Sequence, residues 1–564
     1  MVFIIFGFSG YGQEKVLTIH HSPDTEINSQ LIKKTTGTYK DTLKMIRSLD
    51  QLLIVLRSRG YLESSVDSLI SKEDTVKAFL HLGKHYGFGK ISVEGDYPEF
   101  LFSLIREVTA NKRRTDIKKF GIWQKKVLKK MVNSGYPFAR LQGKSYSFDH
   151  DTIDAVFKIQ PGKRYVIDTI YMKGDAKVND RFLYNHLGIY PGMYYDESRL
   201  NSISEKLDQL PFITQIKDFE LEFSDQNKVN LYLYLSQNQG NQADGLVGFV
   251  PAEGNKIQFT GRLDLLLQNS FHQGEKISVN WRALEEKSQE LNLKVLYPFL
   301  FFQKVGLSTD FTLYKQDTTF LNTHLQIGFP VHIDAYQSIG FTGNFDRSAV
   351  LAEQSMNRDV SGYSKQLFGL NYNYSRLDHP LNPAKGNQFR ISLSVGKIKN
   401  EVFDETLNEE VLREYTHSEI IMNSSVYRPV RGNWVLKIAN FSGWMHKYES
   451  TQNYFENELY RFGGTKYLRG FRENSFLASF YSLMNLELRY LFSGNSNLFI
   501  FGDGGYYLKQ SGKVTDDFPL GFGLGTNLHT GAGIMKLSYA VGKQFNNPLE
   551  FQNAVVHISF ISTF

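Results

Sequence analysis

Residues 241–564 alternate between apolar and polar side chains in one strand-like stretch after another. The pattern is clear in residues 277–282, 388–395 and 485–492, where every second side chain is apolar. Each such strand has one apolar face and one polar face. A soluble sandwich alternates in the same way, but repeated strands of about 9–11 residues favour a barrel that spans a membrane. This pattern predicts an all-β transmembrane barrel with a lipid-facing surface and a wet interior.

The composition agrees with a barrel and not with membrane helices. Aromatic residues make up 14% of the 564 residues, while the mean hydropathy is only −0.33. After the N-terminus there is no run of 18 or more apolar residues, which a spanning helix would need. At roughly 20 residues for each strand and its connection, the segment 243–564 predicts about 16 antiparallel strands.

The connections and the C-terminus carry further signals. We expect short turns such as residues 379–386 at one end of the barrel, and longer polar stretches such as residues 397–414 outside the membrane at the other. The chain ends in VVHISFISTF, where Val556, Ile558, Phe560 and Phe564 share one face. A terminal aromatic residue on an alternating strand resembles the C-terminal signal of bacterial outer-membrane proteins.

The first 240 residues repeat a pattern in which a helix-like stretch ends in a turn before a strand. Gly60, Gly135 and Leu210 hold the same place in LRSRGYLESSV, MVNSGYPFARL and LDQLPFITQIK, with 75 residues between successive copies. A fixed period marks repeated modules, which we assign to residues 14–84, 85–161 and 162–238. The third copy predicts the order β-α-α-β-β, with its second helix at residues 196–210. The first copy is the weakest.

The N-terminal segment MVFIIFGFSGYGQ has an apolar centre followed by small residues. This resembles a secretory signal, assigned to residues 1–13, although the basic beginning of such a signal is lacking. A buried first strand is the alternative interpretation.

Polar residues in glycine-rich surroundings form the main candidate site. The stretch LYRFGGTKYLRGF, residues 459–471, holds Arg469 among aromatic residues and glycines. Glu487 and Asp503 follow on two alternating strands, on the face opposite their apolar neighbours. An unpaired charge suits neither a packed core nor a lipid-facing strand. The spacing is compatible with a buried polar cluster inside the barrel and equally with an ordinary surface loop followed by two hairpins.

Several kinds of chemistry lack a sequence signal. The chain has no cysteine, so it has no disulfide framework or thiolate site. There is no phosphate-binding loop, no G-x-S-x-G elbow and no H-E-x-x-H helix. The glycines of GFGLGTN, residues 521–527, fit inward positions of a barrel strand better than a phosphate loop. We expect no enzyme activity, no metal site, no cofactor and, at a net charge of +6, no nucleic-acid partner.

The repeats resemble polypeptide-transport-associated (POTRA) modules, and GYPFARL resembles their helix-to-strand corner. That resemblance implies a periplasmic position, and binding of clients or partners by addition of a strand to an exposed sheet edge. Three repeats followed by a barrel of about 16 strands resemble the BamA/TamA superfamily of bacterial surface antigens over nearly the whole chain. The repeat count is closer to TamA than to BamA.

The resemblance to this superfamily also assigns the candidate site. YLRGF matches the family motif on a loop that folds back into the lumen, which comprises Leu468, Arg469, Gly470 and Phe471. FGDGG matches a later strand motif, with Phe501, Asp503 and Gly505. By this likeness Arg469 pairs with Asp503, Glu487 or both, as a buried arginine fork would. Gly463 and Gly464 let the loop turn tightly.

The resemblance implies an outer-membrane protein whose modules receive client outer-membrane or secreted polypeptides and whose barrel aids their insertion or secretion. Outer-membrane lipid is an expected partner, and a periplasmic or inner-membrane partner would fit the modules. The alternatives are a two-partner-type secretion pore, a lipid-transfer surface antigen and a passive channel. Two-partner transporters usually have two modules and a plug helix, which this sequence does not show. A passive channel needs neither the modules nor YLRGF.

Overall fold

The computed structural model describes residues 15–21, 29–110, 114–252, 256–283, 288–302, 304–351, 359–380, 382–404, 409–448, 453–493, 496–530, 533–545, 552 and 554–563. The predicted signal, residues 1–13, and Phe564 lie outside them. The chain forms two compact units. One holds the described residues up to Asp168 with Gly192–Ser198 and Phe223–Val229, and the other holds Thr169–Pro191, Arg199–Glu222 and the described residues from Asn230 onwards. The division runs through the segment 162–238.

The first sheet belongs to the N-terminal unit. Its elements are β1 (Lys15–His21), α1 (Ser29–Thr35), β2 (Gly37–Tyr39), α2 (Thr42–Ser58), β3 (Ser65–Lys72) and β4 (Thr75–His81). The sheet order is β2-β1-β4-β3, with β1 and β4 parallel. Helix α2 covers the sheet because Met45, Leu49, Leu52 and Leu56 recur at helical spacing and are buried. Asp41 caps this helix.

The second sheet has the same plan with different connections. Its elements are β5 (Gly87–Glu94), α3 (Phe102–Thr109), β6 (Thr115–Asp116), α4 (Ile117–Val132), β7 (Arg140–Asp149) and β8 (Thr152–Gln160). The order is β6-β5-β8-β7, which leaves β7 at an edge. Phe120, Trp123, Val127 and Met131 form the buried stripe of α4. Trp123 donates its indole N–H to the Leu104 carbonyl at 2.7 Å.

The repeat seen in the sequence has a structural counterpart at its two glycines. Gly60 and Gly135 both have positive φ angles, 108° and 102°, as a tight turn after a helix requires. The Gly60 carbonyl accepts a hydrogen bond from the Tyr86 N–H at 2.7 Å, and the Gly135 carbonyl accepts one from the Tyr165 N–H at 2.7 Å. The same bond therefore ties each helix corner to the strand that begins the next sheet.

The third sheet has three strands, in the order β10-β11-β9. Its elements are β9 (Val166–Gly174), α5 (Asp180–Leu187), α6 (Glu197–Leu200), α7 (Ile203–Leu207), β10 (Ile213–Phe223) and β11 (Lys228–Gln237). The prediction of one helix at residues 196–210 was wrong, because the chain breaks into α6 and α7. Asn201 and Ser202 lie at the break, and the Ser202 hydroxyl donates to the Arg199 carbonyl at 2.7 Å. Such local bonds compete with helix continuation.

Sixteen long strands close into one antiparallel barrel within the described part of the chain, which confirms the predicted fold class. The elements of this region are β12 (Gln242–Ala252), β13 (Lys256–Gln268), β14 (Lys276–Ala283), β15 (Gln289–Phe302), β16 (Val305–Gln316), β17 (Phe320–His332), β18 (Gln337–Val350), β19 (Tyr363–Leu377), β20 (Gly386–Asp404), β21 (Glu409–Arg431), β22 (Trp434–Lys447), β23 (Tyr460–Phe462), α8 (Gly464–Tyr467), β24 (Phe476–Ala478), β25 (Phe480–Ser493), β26 (Ser496–Lys509), β27 (Thr515–Asp517), β28 (Leu520–Thr530), β29 (Gly533–Lys543) and β30 (Val555–Thr563). Strands β23 and β24 pair with each other outside the barrel sheet, and the short β27 extends the pairing of β26 beyond β28.

One connection of the barrel differs from the prediction. Residues 397–414 were expected as a longer polar stretch outside the membrane, and most of this stretch is strand, because β20 continues to Asp404 and β21 begins at Glu409. The two strands pair from Gly386–Tyr427 to Asp404–Glu409. The polar residues of this stretch alternate as solvated strand faces do, so polarity alone was a poor sign of a loop. Among the described residues, no helix has both the length and the apolar content needed to cross a membrane.

Part of the third sheet region contacts the short-turn end of the barrel inside the C-terminal unit. Arg376, near the end of β19, donates two parallel hydrogen bonds to Glu205 of α7, at 2.5 and 2.8 Å. Gln209 donates its side-chain amide to the Leu377 carbonyl at 2.6 Å. The ring of Phe182 on α5 lies 5.8 Å from that of Phe299 on β15. The hydrogen bonds from Arg376 hold the pKa of Glu205 below its ordinary value.

Candidate functional site

Residues 453–479 of the connection between β22 and β25 lie inside the barrel. They contact inward side chains on strands all around the wall. The Arg461 guanidinium lies 4.8 Å from the Tyr314 ring on β16, and Asn474 donates to Glu290 on β15 at 3.2 Å. Glu473 lies 3.6 Å from Arg282 on β14. We call this segment the lumen loop.

The lumen loop has its own small apolar core. Strands β23 and β24 form a hairpin whose Phe462 ring stacks on Phe476 at 5.1 Å and on Tyr481 of β25 at 5.1 Å. Phe462 is fully buried. The hairpin needs Gly463 and Gly464, because their φ angles are 125° and 76°. A Cβ atom on Gly463 would come within 2.7 Å of the Arg472 carbonyl oxygen.

Arg469 at the tip of the lumen loop binds both predicted carboxylates. Its Nε donates to Asp503 Oδ2 at 2.7 Å and its Nη2 donates to Asp503 Oδ1 at 2.6 Å. Its Nη1 donates to Glu487 Oε1 at 2.8 Å. The backbone N–H of Arg469 also donates to Asp503, at 3.0 Å. The structure therefore brings Arg469, Glu487 and Asp503 into one buried cluster, which removes the surface-loop alternative for these side chains.

Two further cations complete this cluster. Lys437 on β22 donates to Glu487 Oε1 at 3.0 Å, and Arg489 on β25 lies 2.6 Å from Glu487 Oε2. The alternation of residues 485–492 puts Arg489 on the polar face, but neither Arg489 nor Lys437 was identified as a partner of Glu487 from the sequence. Two carboxylates thus face three cations, so every buried negative charge of the cluster has a cationic partner. The inward position of Lys437 in the alternation of β22 was the available signal.

The strand motif FGDGG on β26 also contacts the side chain of Arg469. The Phe501 ring centroid lies 3.6 Å from the Arg469 guanidinium carbon, within cation–π distance. Gly505 also faces inward, where a Cβ atom would come within 2.1 Å of the Ser482 carbonyl oxygen. Phe501 therefore contributes to holding the arginine, whereas Gly505 permits close packing of β26 on β25.

The tip of the lumen loop touches the barrel wall backbone to backbone. Gly470 has a φ of 91°, and a Cβ atom there would come within 2.7 Å of the Gly542 nitrogen on β29. A Cβ on Gly521 of β28 would come within 2.0 Å of the Arg469 carbonyl oxygen. Leu468 is fully buried, and the Phe471 ring lies 5.0 Å from that of Phe476. Glycine on both sides is what allows this contact.

The stem of the lumen loop has a second anchor that sequence reasoning missed. Asn457 donates to Ser348 Oγ on β18 at 2.8 Å and to the Ser361 carbonyl at 2.6 Å. Glu458 pairs with Lys447 on β22 at 2.6 Å, with side chains only 3% and 4% exposed. This pair joins a loop carboxylate to a wall cation, the reverse of the arrangement at the tip.

A wall cluster lies beside the stem anchor. Lys365 on β19 bonds Asp346 on β18 at 2.9 Å and Glu419 on β21 at 2.5 Å, and His417 lies 3.1 Å from Glu419. His324 on β17 pairs with Asp346. All five lie at inward positions of alternating strands, which was the signal that could have found them. Which of them meet depends on the register between strands, and that is not visible in one strand's pattern.

The predicted C-terminal signal is only partly described. Phe560 on β30 is exposed on the outer face and is paired in register with Met535 of β29. Phe564 lies outside the described residues. Among the described residues no group of three or more His, Asp or Glu side chains is arranged to hold a metal ion.

Comparisons with known proteins agree with this architecture. The model of the Omp85 superfamily domain matches residues 269–560, more than half of the chain. The outer membrane protein assembly factor BamA of Neisseria meningitidis serogroup B is 21% identical over 48% of this chain and 34% of its own length. BamA of Buchnera aphidicola is 21% identical over 70% of this chain and 61% of its own length. The chain thus spans less than two thirds of either relative.

A solved structure has the same overall fold. CdiB from Escherichia coli superposes with a TM-score of 0.52 at 14% sequence identity, over 92% of this chain and 97% of that chain. At this identity the similarity concerns the fold alone.

Proposed function

Because the chain belongs to the Omp85 superfamily and is a bacterial outer-membrane barrel of the assembly or secretion type, we propose that it inserts client β-barrel proteins into the outer membrane. The modules of residues 14–84, 85–161 and 162–238 receive client polypeptides in the periplasm. The barrel then helps these clients enter the lipid. The chain carries out this work without catalysis.

The seam between the first and last barrel strands is the observation that carries the proposal. Among the described residues, β12 and β30 are in register only at Gln242 with Thr563 and Ala243 with Ser562. On its other side β12 pairs with β13 along its whole length. Unpaired backbone groups are costly in lipid. A short seam therefore offers strand edges to which a client strand can add.

The lumen loop and the sheet edges support the same role. A passive channel requires an open lumen, whereas the lumen loop contacts strands around the wall. In the second module the edge strand β7 is exposed along nearly its whole length, including Tyr146 and Phe148 at 54% and 65% exposure. An exposed edge with apolar side chains suits the binding of an extended polypeptide.

A disulfide across the seam tests the proposal, because the chain has no cysteine of its own. We expect Ala243→Cys with Ser562→Cys to stop insertion of client barrels into outer-membrane vesicles under oxidation, and a reductant to restore it. The matched control is Leu488→Cys with Ile500→Cys, which are register partners on β25 and β26. Insertion that continues through a locked seam would contradict the proposal.

Cells that produce the variant with the locked seam distinguish the alternative functions. If a locked seam leaves insertion intact but a secreted polypeptide still leaves the cell only when the chain is present, a two-partner-type secretion pore is favoured. Depletion of the chain followed by outer-membrane proteomics provides an independent readout. Loss of particular barrel proteins supports insertion, while an unchanged proteome with altered solute uptake supports a passive channel.

A further inference from the structure

A groove of about 540 Å³ lies on the outer face of strands β18–β22. Its lining is almost entirely apolar, and the side chains that shape it point away from the lumen. The main contributors are Phe341, Phe368, Leu393, Val395, Ile420 and Trp444. These side chains are in cross-strand register, as in the row that joins Leu370, Leu393, Ile420 and Trp444. The groove therefore crosses five neighbouring strands, which at about 4.8 Å per strand spacing makes it about 19 Å wide.

Three exposed cations stand at one end of the groove. Arg347 on β18 and Lys399 on β20 are connected in register through Ser364 of β19, and Lys397 is the next outward residue of β20 towards the groove. Glu414 on β21 lies 3.5 Å from Lys397 and 3.3 Å from Lys399. Glu401 lies one outward position farther from the groove on β20. The row at the groove end thus has three cations and one carboxylate.

Polar and aromatic groups mark the same end. Tyr448 is exposed on the outer face towards this end, and the Ser418 hydroxyl lies 3.4 Å from the Tyr448 hydroxyl. Tryptophan and tyrosine collect where the hydrocarbon region meets the polar surface of a membrane. Arg376, which contacts α7, lies at the opposite end of β19. The cations therefore lie at the end of the barrel opposite to the contact with α7.

We propose that this surface binds a phosphorylated lipid with several acyl chains from the outer leaflet of the membrane. The acyl chains fill the groove. The apolar side chains that line it then keep the van der Waals contacts that they would lose around an empty concavity. Arg347, Lys397 and Lys399 bind the phosphate groups, and the Ser418 and Tyr448 hydroxyls lie at the depth of the ester linkages. The groove is wide enough for several acyl chains, and the end of the groove carries excess positive charge. Together these two features favour this ligand over a single-chain or uncharged lipid.

Lipid A, a phosphorylated glycolipid with several acyl chains, is the probe for the test. The full-length chain, purified in detergent, is titrated with lipid A and with phosphatidylcholine, and bound lipid is counted by native mass spectrometry. We expect saturable binding of lipid A but not of phosphatidylcholine. Lys397→Ala with Lys399→Ala removes two of the three proposed phosphate contacts and should weaken lipid A binding by about tenfold, or about 1.4 kcal/mol.

The controls distinguish the groove from nonspecific lipid contact. Val395→Trp should fill the groove and abolish saturable binding, whereas Leu524→Trp, on the outer face of β28, should not. Lys513→Ala, an exposed cation between β26 and β27, should also leave binding unchanged. Equal binding by all variants, or equal binding of both lipids, would overturn the proposal. Heat-modifiable migration confirms that each variant has a closed barrel before it is measured, and insertion of clients plays no part in the assay.

Discussion

The Arg469–Asp503 and Arg376–Glu205 pairs have the same bidentate geometry in two different surroundings. In the lumen, the side chains of Arg469 and Asp503 are 8% and 0% exposed. At the barrel rim, the side chains of Arg376 and Glu205 are 53% and 41% exposed. Both arginines hold a segment from outside the barrel sheet, the lumen loop in one case and α7 in the other. Hydrogen-bond geometry alone would predict that the two pairs contribute equally to stability.

Burial makes the two pairs different in kind. Removing one partner of a buried pair leaves an uncompensated charge, which costs far more than the pair contributes in net stability. An exposed pair gives up hydration less completely and is screened by salt, so its loss costs little. We therefore expect the lumen pair to control the position of the lumen loop, and the rim pair to adjust a contact that Gln209 and Phe182 also maintain.

Arg469→Ala should have the largest effect. Asp503 and Glu487 would lose their shared cation, at a cost on the order of 3–5 kcal/mol for a fully buried pair. The lumen loop should become sensitive to protease, and client insertion should fall more than the thermal stability of the barrel. Lys466→Ala, an exposed cation three residues away, is the matched control. A loop that stays protected in the Arg469 variant would show that the buried fork is not its anchor.

Arg469→Lys sharpens the comparison by keeping the charge and removing the fork. An ammonium group cannot offer two parallel donors to Asp503 while it also binds Glu487. Client insertion should recover only partly relative to Arg469→Ala, and proteolysis of the lumen loop should remain faster than in the unmodified chain. Full recovery would mean that charge alone, without planar geometry, holds the tip.

Glu458→Gln tests a buried pair that lacks a fork. Lys447 would lose its carboxylate while Asn457 still holds the stem to β18, so we expect a smaller loosening of the lumen loop than in Arg469→Ala. The double variant, Arg469→Ala with Glu458→Gln, forms a cycle with the two single changes. A proteolysis rate that differs from the product of the two single rate increases would show that tip and stem hold one cooperative segment, because independent effects add as free energies. Purely additive effects would assign them to independent segments.

Arg376→Ala should cost only about 0–1 kcal/mol, as exposed pairs do. Hydrogen exchange of α7 should rise slightly at low ionic strength, and the difference from the unmodified chain should vanish at about 1 M salt, where screening acts within about 3 Å. The protection of the lumen loop in the unmodified chain should not change over the same salt range. Salt-dependent protection of the lumen loop would remove the distinction between the two pairs.

Lowering the pH should have the smallest effect, and this effect is specific to the Arg376–Glu205 pair at the barrel rim. Because the pKa of Glu205 is lowered by Arg376, its folded form binds a proton less readily than its unfolded form. The stabilisation is therefore present above the ordinary glutamate pKa of about 4.3 and is lost as pH falls through the lowered value. Exchange of α7 in the unmodified chain should approach that of Glu205→Gln below pH about 4. A constant difference between them across this range would contradict the assignment.

The sequence predicted the barrel because its signal is local. The alternation of apolar and polar side chains decides which face of a strand meets lipid, and that periodicity recurs in strand after strand. Arg469, Glu487 and Asp503 were also predictable as a group, from their inward positions and from the motif around them. Their role in function stays a proposal.

The sequence did not predict the contacts set by strand register and loop path. Lys437 reaches Glu487 only because β22 and β25 are neighbours at that register, with the lumen loop between them in sequence. Asn457 and Glu458 have no recognisable motif, and their partners on β18 and β22 lie in separate parts of the chain. The helix break at Ser202 reflects a side-chain bond that competes with the helix. In each case the deciding interaction is absent from the local pattern.

The short seam between β12 and β30 has a consequence for how the barrel forms. Within the described residues, the other pairings between long barrel strands join strands that are neighbours along the chain. The pairing of β12 with β30 instead joins strands that are separated by the whole barrel sequence. The entropy cost of bringing chain ends together rises with the length between them. Ring closure therefore carries the largest entropy cost of any strand pairing in the barrel, and its few register pairs offset that cost least. The lumen loop precedes β25–β30 along the chain, so it can be enclosed as the later strands add, and the barrel need not open again to admit it.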